Sequence, residues 1–193
     1  MTVSIGHTGP IFQQTQDEFA GIASMVLLSG IVSRSSGEKM TDFAGSALFD
    51  PLGIHDWRWR NQKGVVYMGG NLELTCRDMA KIGLLMLNKG LWNGERILSA
   101  RWIEESFREL GIHEHSFQRH GFYHHYMWWR FERDFHGTLV RGYFASGNGG
   151  QNITVIPDLN MVVALTAGNY DKGLEDQPVR IIIDRILPAL LGE

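Results

Sequence analysis

Apolar residues recur with two different periods along this chain, and the change from one to the other divides it. From Asp17 onward, Phe19, Ile22, Met25, Val26, Leu28, Ile31 and Val32 keep a roughly helical spacing. This predicts a core helix, opened by the capping box Thr15-Gln16-Asp17-Glu18 and stopped at Ser35-Ser36-Gly37. A second helix is expected from Met40 to Phe49, ended by Pro51 and Gly53. Trp57-Arg58-Trp59-Arg60 alternates like a strand, and Val65-Val66-Tyr67-Met68 is another short extended run closing at Gly69-Gly70. Thr75 and Asp78 match the cap and third position of a helix that turns Met79, Ile82, Leu85 and Met86 inward and stops at Asn88-Lys89-Gly90. Asn93-Gly94 signals a tight turn, and Ser99 is placed to cap a helix over Ala100 to Leu110.

Beyond Leu110 the pattern becomes one of strands. Phe122 to Phe131, Leu139 to Ala145 and Ile153 to Ile156 read as extended segments, and the turn Pro157-Asp158-Leu159-Asn160 leads into Met161 to Ala167, so an antiparallel meander is expected. Pro178 fits the first turn of a closing helix, in which Val179, Ile182, Ile183, Ile186 and Leu190 return to the helical period. The apolar face of that helix needs a surface to cover, and the preceding strands supply one. The expected class is therefore α+β, with an irregular segment 1–16, a mainly helical part 17–110, and antiparallel strands plus a C-terminal helix over 111–193.

Composition narrows the function without naming it. A chain of 193 residues that is 44% hydrophobic can bury a core, and its net charge of −3 is spread without a basic block, which argues against nucleic acid and membrane surfaces as partners. The single cysteine, Cys76, excludes an internal disulfide and reads as a small buried residue. Met1 to Gln16 has neither the basic region nor the long apolar run of a secretory signal, and no stretch is long enough to span a bilayer.

The candidate chemistry centres on Ser146-Gly147-Asn148-Gly149-Gly150-Gln151, between two strand-like runs. Without a Cβ the glycines let bare backbone approach whatever lies beside the sheet edge, and backbone N–H groups there can face a ligand. A glycine-rich hairpin or bulge with no ligand has the same signature. Ser36-Gly37-Glu38-Lys39 has the Ser-x-x-Lys spacing of a serine nucleophile and its lysine base, but Gly37 interrupts it where the first helix ends, so it is discounted. Gly6-His7-Thr8-Gly9 is read as a loop. The histidines His113, His115, His120, His124, His125 and His136 match no zinc spacing, so no metal and no cofactor is expected. Trp128 and Trp129 must face opposite sides of a strand, which leaves one of them to line a cleft and the other to pack.

Taken in order, several segments resemble the carboxy-terminal portion of the serine β-lactamase and penicillin-binding-protein family, in its class C-like branch with esterases, amidases and D-alanyl carboxypeptidases. The resemblance runs from about Phe19 to Leu191. It is carried by Leu27-Leu28 through Ser36-Gly37, Leu48-Phe49-Asp50-Pro51-Leu52-Gly53-Ile54, Gly69-Gly70-Asn71-Leu72 and Thr75-Cys76-Arg77-Asp78-Met79-Ala80. It continues through Gly83, Leu87-Asn88, Gly90, Trp92-Asn93-Gly94, Ile97-Leu98-Ser99, Trp102 and Tyr126-Met127-Trp128-Trp129.

The resemblance implies a partial β-lactamase/transpeptidase-like fold and a reaction through an acyl-serine on an ester or amide. It places the triplet that closes the family's site at Asn148-Gly149-Gly150. The next residue, Gln151, would then give its backbone N–H to the oxyanion hole, where a preset donor is worth about 3 kcal/mol to the transition state. Asn148, Gly149, Gly150 and Trp128 would line the substrate cleft. The same resemblance implies departures. The serine and lysine helix has no counterpart before the first helix, and the family's Tyr-x-Asn falls on Ala20-Gly21-Ile22. A chain with neither nucleophile nor base is expected to be inactive alone. If completed, it would take a small ester or amide substrate. The alternative is a degenerate, non-catalytic relative that binds or scaffolds. Sheet edges left open would favour self-association in either case.

Overall fold

In the computed structural model, which describes residues 2–5, 16–62, 65–66, 68–108, 123–170, 172–174 and 176–192, the chain packs as two units, Met1–Asp78 and Met79–Glu193. The first unit runs from β1 (Thr2–Ile5) through α1 (Gln16–Ser36) and α2 (Met40–Ala44), which continues as a π-helical turn over Gly45–Phe49. Then come β2 (Arg58–Trp59), β3 (Asn61–Gln62), β4 (Val65–Val66) and β5 (Leu72–Thr75). Strands β1, β5 and β2 form an antiparallel sheet with β5 in the middle. The segment Thr2–Ile5, expected to be irregular, is thus an edge strand, because four residues are too few for alternation to stand out from chance.

Helix α1 ends at Ser36 as expected, with Gly37 in the left-handed region at φ 77°. Its burial differs from the expectation of a core helix, since Leu27 is 66% and Ile31 60% exposed while Ser29 is buried. Val26, Leu27 and Leu28 are consecutive and point in three directions, so no single face could bury them all. The core of this unit lies instead around Met40, Ala44, Phe49, Leu52 and Ile54, where Phe49 meets the Trp57 ring at 4.8 Å.

Thr75 ends β5 and caps α3 (Cys76–Leu87). Its Oγ1 accepts from the Asp78 backbone N–H at 3.1 Å and donates to Asp78 Oδ2 at 2.7 Å, the capping arrangement that the sequence announces. Cys76, expected to be buried, is partly exposed at the first turn. The second unit continues through β6 (Leu91–Trp92) and β7 (Glu95–Arg96), joined by Asn93 and Gly94 with φ of 49° and 87°. Helix α4 (Ala100–Phe107) is capped by Ser99 Oγ, which accepts from the Trp102 N–H at 3.0 Å. It ends at Phe107, with Arg108 extended at ψ 141°, and the expected end at Leu110 lies outside the described residues.

A five-stranded antiparallel meander follows in sequential order, β8 (Tyr123–His125), β9 (Trp128–Phe135), β10 (Thr138–Gly147), β11 (Gln151–Ile156) and β12 (Met161–Leu165). The single strand expected over Phe122 to Phe131 is broken by Tyr126 and Met127, both at positive φ. Neither is a residue that marks such a turn, so the sequence concealed it. The Pro157 turn is a 3-10 turn over Pro157–Leu159, closed by Asn160 at φ 48°. The closing helix is α5 (Gln177–Ile181), a π-helical turn over Ile182–Ile186, and α6 (Leu187–Leu191). Pro188 has no N–H to give to the carbonyl four residues back, and the irregular turn lies just ahead of it.

Both faces of this sheet are covered. Val179, Ile182, Ile183 and Leu187 pack on Phe131, Val140, Phe144 and Ile156. On the other face Met86, Ile103 and Phe107 meet Val155, Val162 and Trp128. A Cβ at Gly83 would come within 2.5 Å of Val162, so α3 lies close against the sheet. Strand β11 is consequently buried at every position, and it is the strand that leads out of the glycine-rich turn.

Candidate functional site

Strand β10 runs two residues further than the sequence suggests, and Gln151 already belongs to β11, so the loop is reduced to Asn148, Gly149 and Gly150. Gly147 pairs with Gln151 and Ser146 with Asn152. The Gly150 N–H donates to the Gly147 carbonyl at 3.1 Å, and Gly149 and Gly150 have φ of 86° and 90°. Glycine is needed for a second reason: a Cβ on Gly149 would lie 2.6 Å from the Tyr170 ring, and one on Gly150 3.1 Å from the Ala167 Cβ and 3.3 Å from Pro178 Cγ.

The segment after β12 pins this turn. The Asn169 N–H donates to the Gly149 carbonyl at 2.9 Å, and Asn169 Nδ2 donates to Gln177 Oε1 at 2.7 Å. Gln151 is 2% exposed, and its Nε2 donates to the Ala167 carbonyl and to Tyr170 Oη, both at 3.0 Å. Three buried amide atoms beside the turn have no hydrogen-bond partner, Asn148 Nδ2, Gln151 Oε1 and Asn152 Nδ2. Buried polar atoms are rarely left so, and their gathering here marks the turn as polar ground within an apolar sheet. Asn152 Oδ1 is used, accepting from Thr154 Oγ1 at 2.6 Å.

Trp128 and Trp129 do face opposite sides. Trp129 joins Phe131 and Phe144 under the closing helix, and Trp128 packs edge-to-face on Phe107 with centroids 5.5 Å apart. Residues 151, 153 and 155 alternate onto one face, and Val155 shares a cluster with Trp128, so Trp128 and Gln151 lie on the same face with β10 between their strands. Ser36 and Lys39 are not on one helical turn. Gly37 breaks the helix, Lys39 is extended at ψ 143°, and the exposed Ser36 Oγ accepts from the Glu38 N–H at 3.2 Å. His113, His115 and His120 lie outside the described residues, as does Gly6 to Gly9. Among the described residues no group of acidic, histidine and cysteine side chains is arranged to hold a metal. Among them, too, no helix is long and apolar enough to cross a membrane.

Tyr170 and Asn169 went unnoticed in the sequence. They follow Gly168, nearly twenty residues from the turn they hold, and no local pattern links such distant positions. Shifted titrations occur elsewhere on the sheet. The Arg130 guanidinium hydrogen-bonded to Glu132, with Arg141 adding its charge, holds the Glu132 carboxyl below the usual range against the opposing effect of burial. Burial pushes the Tyr143 phenol up, where it stacks on Phe107 at 4.0 Å.

A family model described as beta-lactamase matches residues 13–183. No curated protein matches the chain. Among solved structures, a candidate 6-aminohexanoate-dimer hydrolase from Bacillus anthracis superposes with a TM-score of 0.69 at 19% identity, over 96% of this chain and 46% of that one. The octameric penicillin-binding protein homologue from Pyrococcus abyssi gives 0.62 at 21% identity, over 88% and 41%. A penicillin-binding protein from Bacillus halodurans gives 0.56 at 16% identity, over 76% and 50%. At these identities the likeness is one of fold, and the chain spans half or less of each of those proteins.

Proposed function

The chain belongs to the beta-lactamase family, and on that premise we propose that it carries the oxyanion-side strand of a serine hydrolase for ester or amide bonds while having no turnover of its own. The observation that carries this reading is the turn itself. Two glycines at positive φ, where a Cβ would be strained and would crowd Tyr170, Ala167 and Pro178, stand directly before Gln151, at the start of a strand buried on both faces. In the assignment made from the resemblance, the Gln151 backbone N–H is the donor to the developing oxyanion, Asn148, Gly149 and Gly150 line the acyl or leaving-group side, and Trp128 borders the cleft on the same face.

The inactivity follows from the residues at hand. Ser36 to Lys39 is the only Ser-x-x-Lys in the sequence, and its backbone separates the two side chains rather than pairing them. No Tyr-x-Asn occurs anywhere in the chain, and Ala20 occupies the expected position of the tyrosine. An oxyanion hole without a nucleophile stabilises a transition state that does not form. Steady-state assays with nitrocefin and a p-nitrophenyl ester are expected to give rates at the uncatalysed background. A burst of product with a serine of this chain covalently labelled would sink the reading. Self-association through a sheet edge belongs to this reading as well, and a monomer in sedimentation at high concentration would exclude it.

A further inference from the structure

In the first unit, the turn from α1 into α2 borders a cavity of about 520 Å³, a volume typical of small-molecule sites. Three buried residues, Ser29, Met40 and Val66, form its floor. Ser33 stands one helical turn beyond Ser29 on the same face of α1, and Gly37, at φ 77°, reverses the chain so that the exposed Glu38, Lys39 and Asp42 reach the rim. Ser29 is 5% exposed, and its hydroxyl has no hydrogen-bond partner among the described residues. A buried hydroxyl is rarely left so, and this one lines the cavity.

The charges at the rim decide what could meet it. Glu38 and Lys39 have no ion-pair partner among the described residues, and Asp42 Oδ1 accepts from the neighbouring Thr41 hydroxyl at 3.2 Å. A phosphate would face two carboxylates, a simple cation would face the Lys39 ammonium, and a neutral sugar would leave all three charges unmatched. A molecule with one charge of each sign matches them, its carboxylate toward Lys39 and its ammonium toward Glu38 or Asp42. Between those ends it needs a polar, uncharged group for the serines, whose hydroxyls can donate to a carbonyl or accept from an N–H. We propose that the cavity binds a zwitterionic dipeptide, its amide against Ser29 and Ser33 and an apolar side chain on Met40 and Val66. Every lining residue belongs to the first unit, so the site stands whether or not the turn before Gln151 serves an oxyanion.

Glycylvaline titrated at neutral pH into the isotope-labelled chain tests this through amide chemical shifts. Saturable shifts are expected at Ser29, Ser33, Gly37 to Asp42 and Val66. N-acetylglycylvaline and glycylvaline amide, each lacking one charge, should bind about fivefold more weakly, as for the loss of an exposed ion pair. Ser29→Ala should weaken glycylvaline about fivefold, as for one hydrogen bond, while its melting temperature holds or rises, because a buried hydroxyl without a partner opposes folding. Lys39→Gln, at an exposed position, should weaken glycylvaline about fivefold and leave the affinity for glycylvaline amide unchanged, since the ammonium acts on the free carboxylate. Equal losses for the two peptides in Lys39→Gln, or undiminished binding of either blocked peptide, would overturn the zwitterion. Unchanged affinity in a folded Ser29→Ala would show that the peptide does not reach the floor, and an absence of saturable shifts at these amides would leave the cavity to solvent; either result sinks the proposal. If Ser29→Ala does not fold, the Lys39→Gln comparison decides.

Discussion

At one end of β10 the chain reverses through His136 and Gly137; at the other it reverses through Asn148, Gly149 and Gly150. Both turns rely on left-handed backbone, with φ of 48° and 84° in the first and 86° and 90° at the glycines of the second. Their surroundings differ completely. A Cβ built on Gly137 meets nothing within 4 Å, whereas one on Gly149 runs into the Tyr170 ring at 2.6 Å. The first glycine serves the reversal alone, and the second also lets another part of the chain lie directly on the backbone. A left-handed glycine therefore says little about function until its neighbours are known.

Alanine at the two positions breaks or confirms this distinction, and it has the largest effect expected here. Gly137→Ala should cost about 1 kcal/mol, the strain of a side chain in left-handed backbone. Gly149→Ala adds displacement of the Tyr170 ring and should cost about 3 kcal/mol in all. Urea denaturation measures both. Equal losses would mean that Tyr170 swings away freely and that the turn is no more enclosed than its counterpart.

The side-chain anchors come next. Asp134 Oδ1 accepts from the Gly137 N–H at 2.8 Å in an exposed setting, where water can replace it. Gln151 ties its turn from a buried position, and its loss would leave the Ala167 carbonyl without that donor. Asp134→Ala is expected to cost less than about 1 kcal/mol and Gln151→Ala about 2 kcal/mol. Amide hydrogen exchange should show the second loss concentrated at Asn169 and Gly150. A loss spread evenly over the sheet would argue against a local anchor.

The same contrast explains what could be read from the chain. Thr75 with Asp78, Asn93-Gly94, Ser99 and Pro157 to Asn160 all stand where the structure uses them, because caps and tight turns depend on residues three or four apart. The helix-on-sheet packing was legible from the spacing of Val179, Ile182 and Ile183. The hairpin at Tyr126 and Met127 was not, since its residues lack turn chemistry, nor was the exposure of Leu27 and Ile31, which depends on what comes to cover α1. At the site, the glycine pair and Gln151 stood out in the sequence. Tyr170 did not, because its contact with residues 149 and 151 exists only once β12 has returned beside β11.

pH sharpens the comparison, with the smallest effect. The glycine-rich turn is held by amides and a phenol, whereas the opposite end of the sheet carries Glu132 with Arg130 and Arg141, and Asp158 Oδ2 accepts from the Arg141 N–H at 3.0 Å. Arg130 holds the folded-state pKa of Glu132 below its unfolded value. The folded chain therefore binds fewer protons than the unfolded one through that interval. The stabilisation is complete above an unfolded carboxylate pKa of about 4.3 and is lost as pH falls through the lower, folded value. Tyr143 has the opposite sign: burial raises its folded pKa, so its contribution is complete below an unfolded value of about 10 and is lost as pH climbs past the folded one. Since Glu132 is one-third exposed, solvent screening holds its share under about 1 kcal/mol. Glu132→Gln should flatten the acid limb of the stability curve by that amount, and Tyr143→Phe should flatten the alkaline limb. Exchange corrected for its intrinsic pH dependence should show β9 amides loosening in acid before those of Gly150 and Gln151. Loosening of the glycine-rich turn first would place a titrating group there and reverse the contrast between the two ends of the sheet.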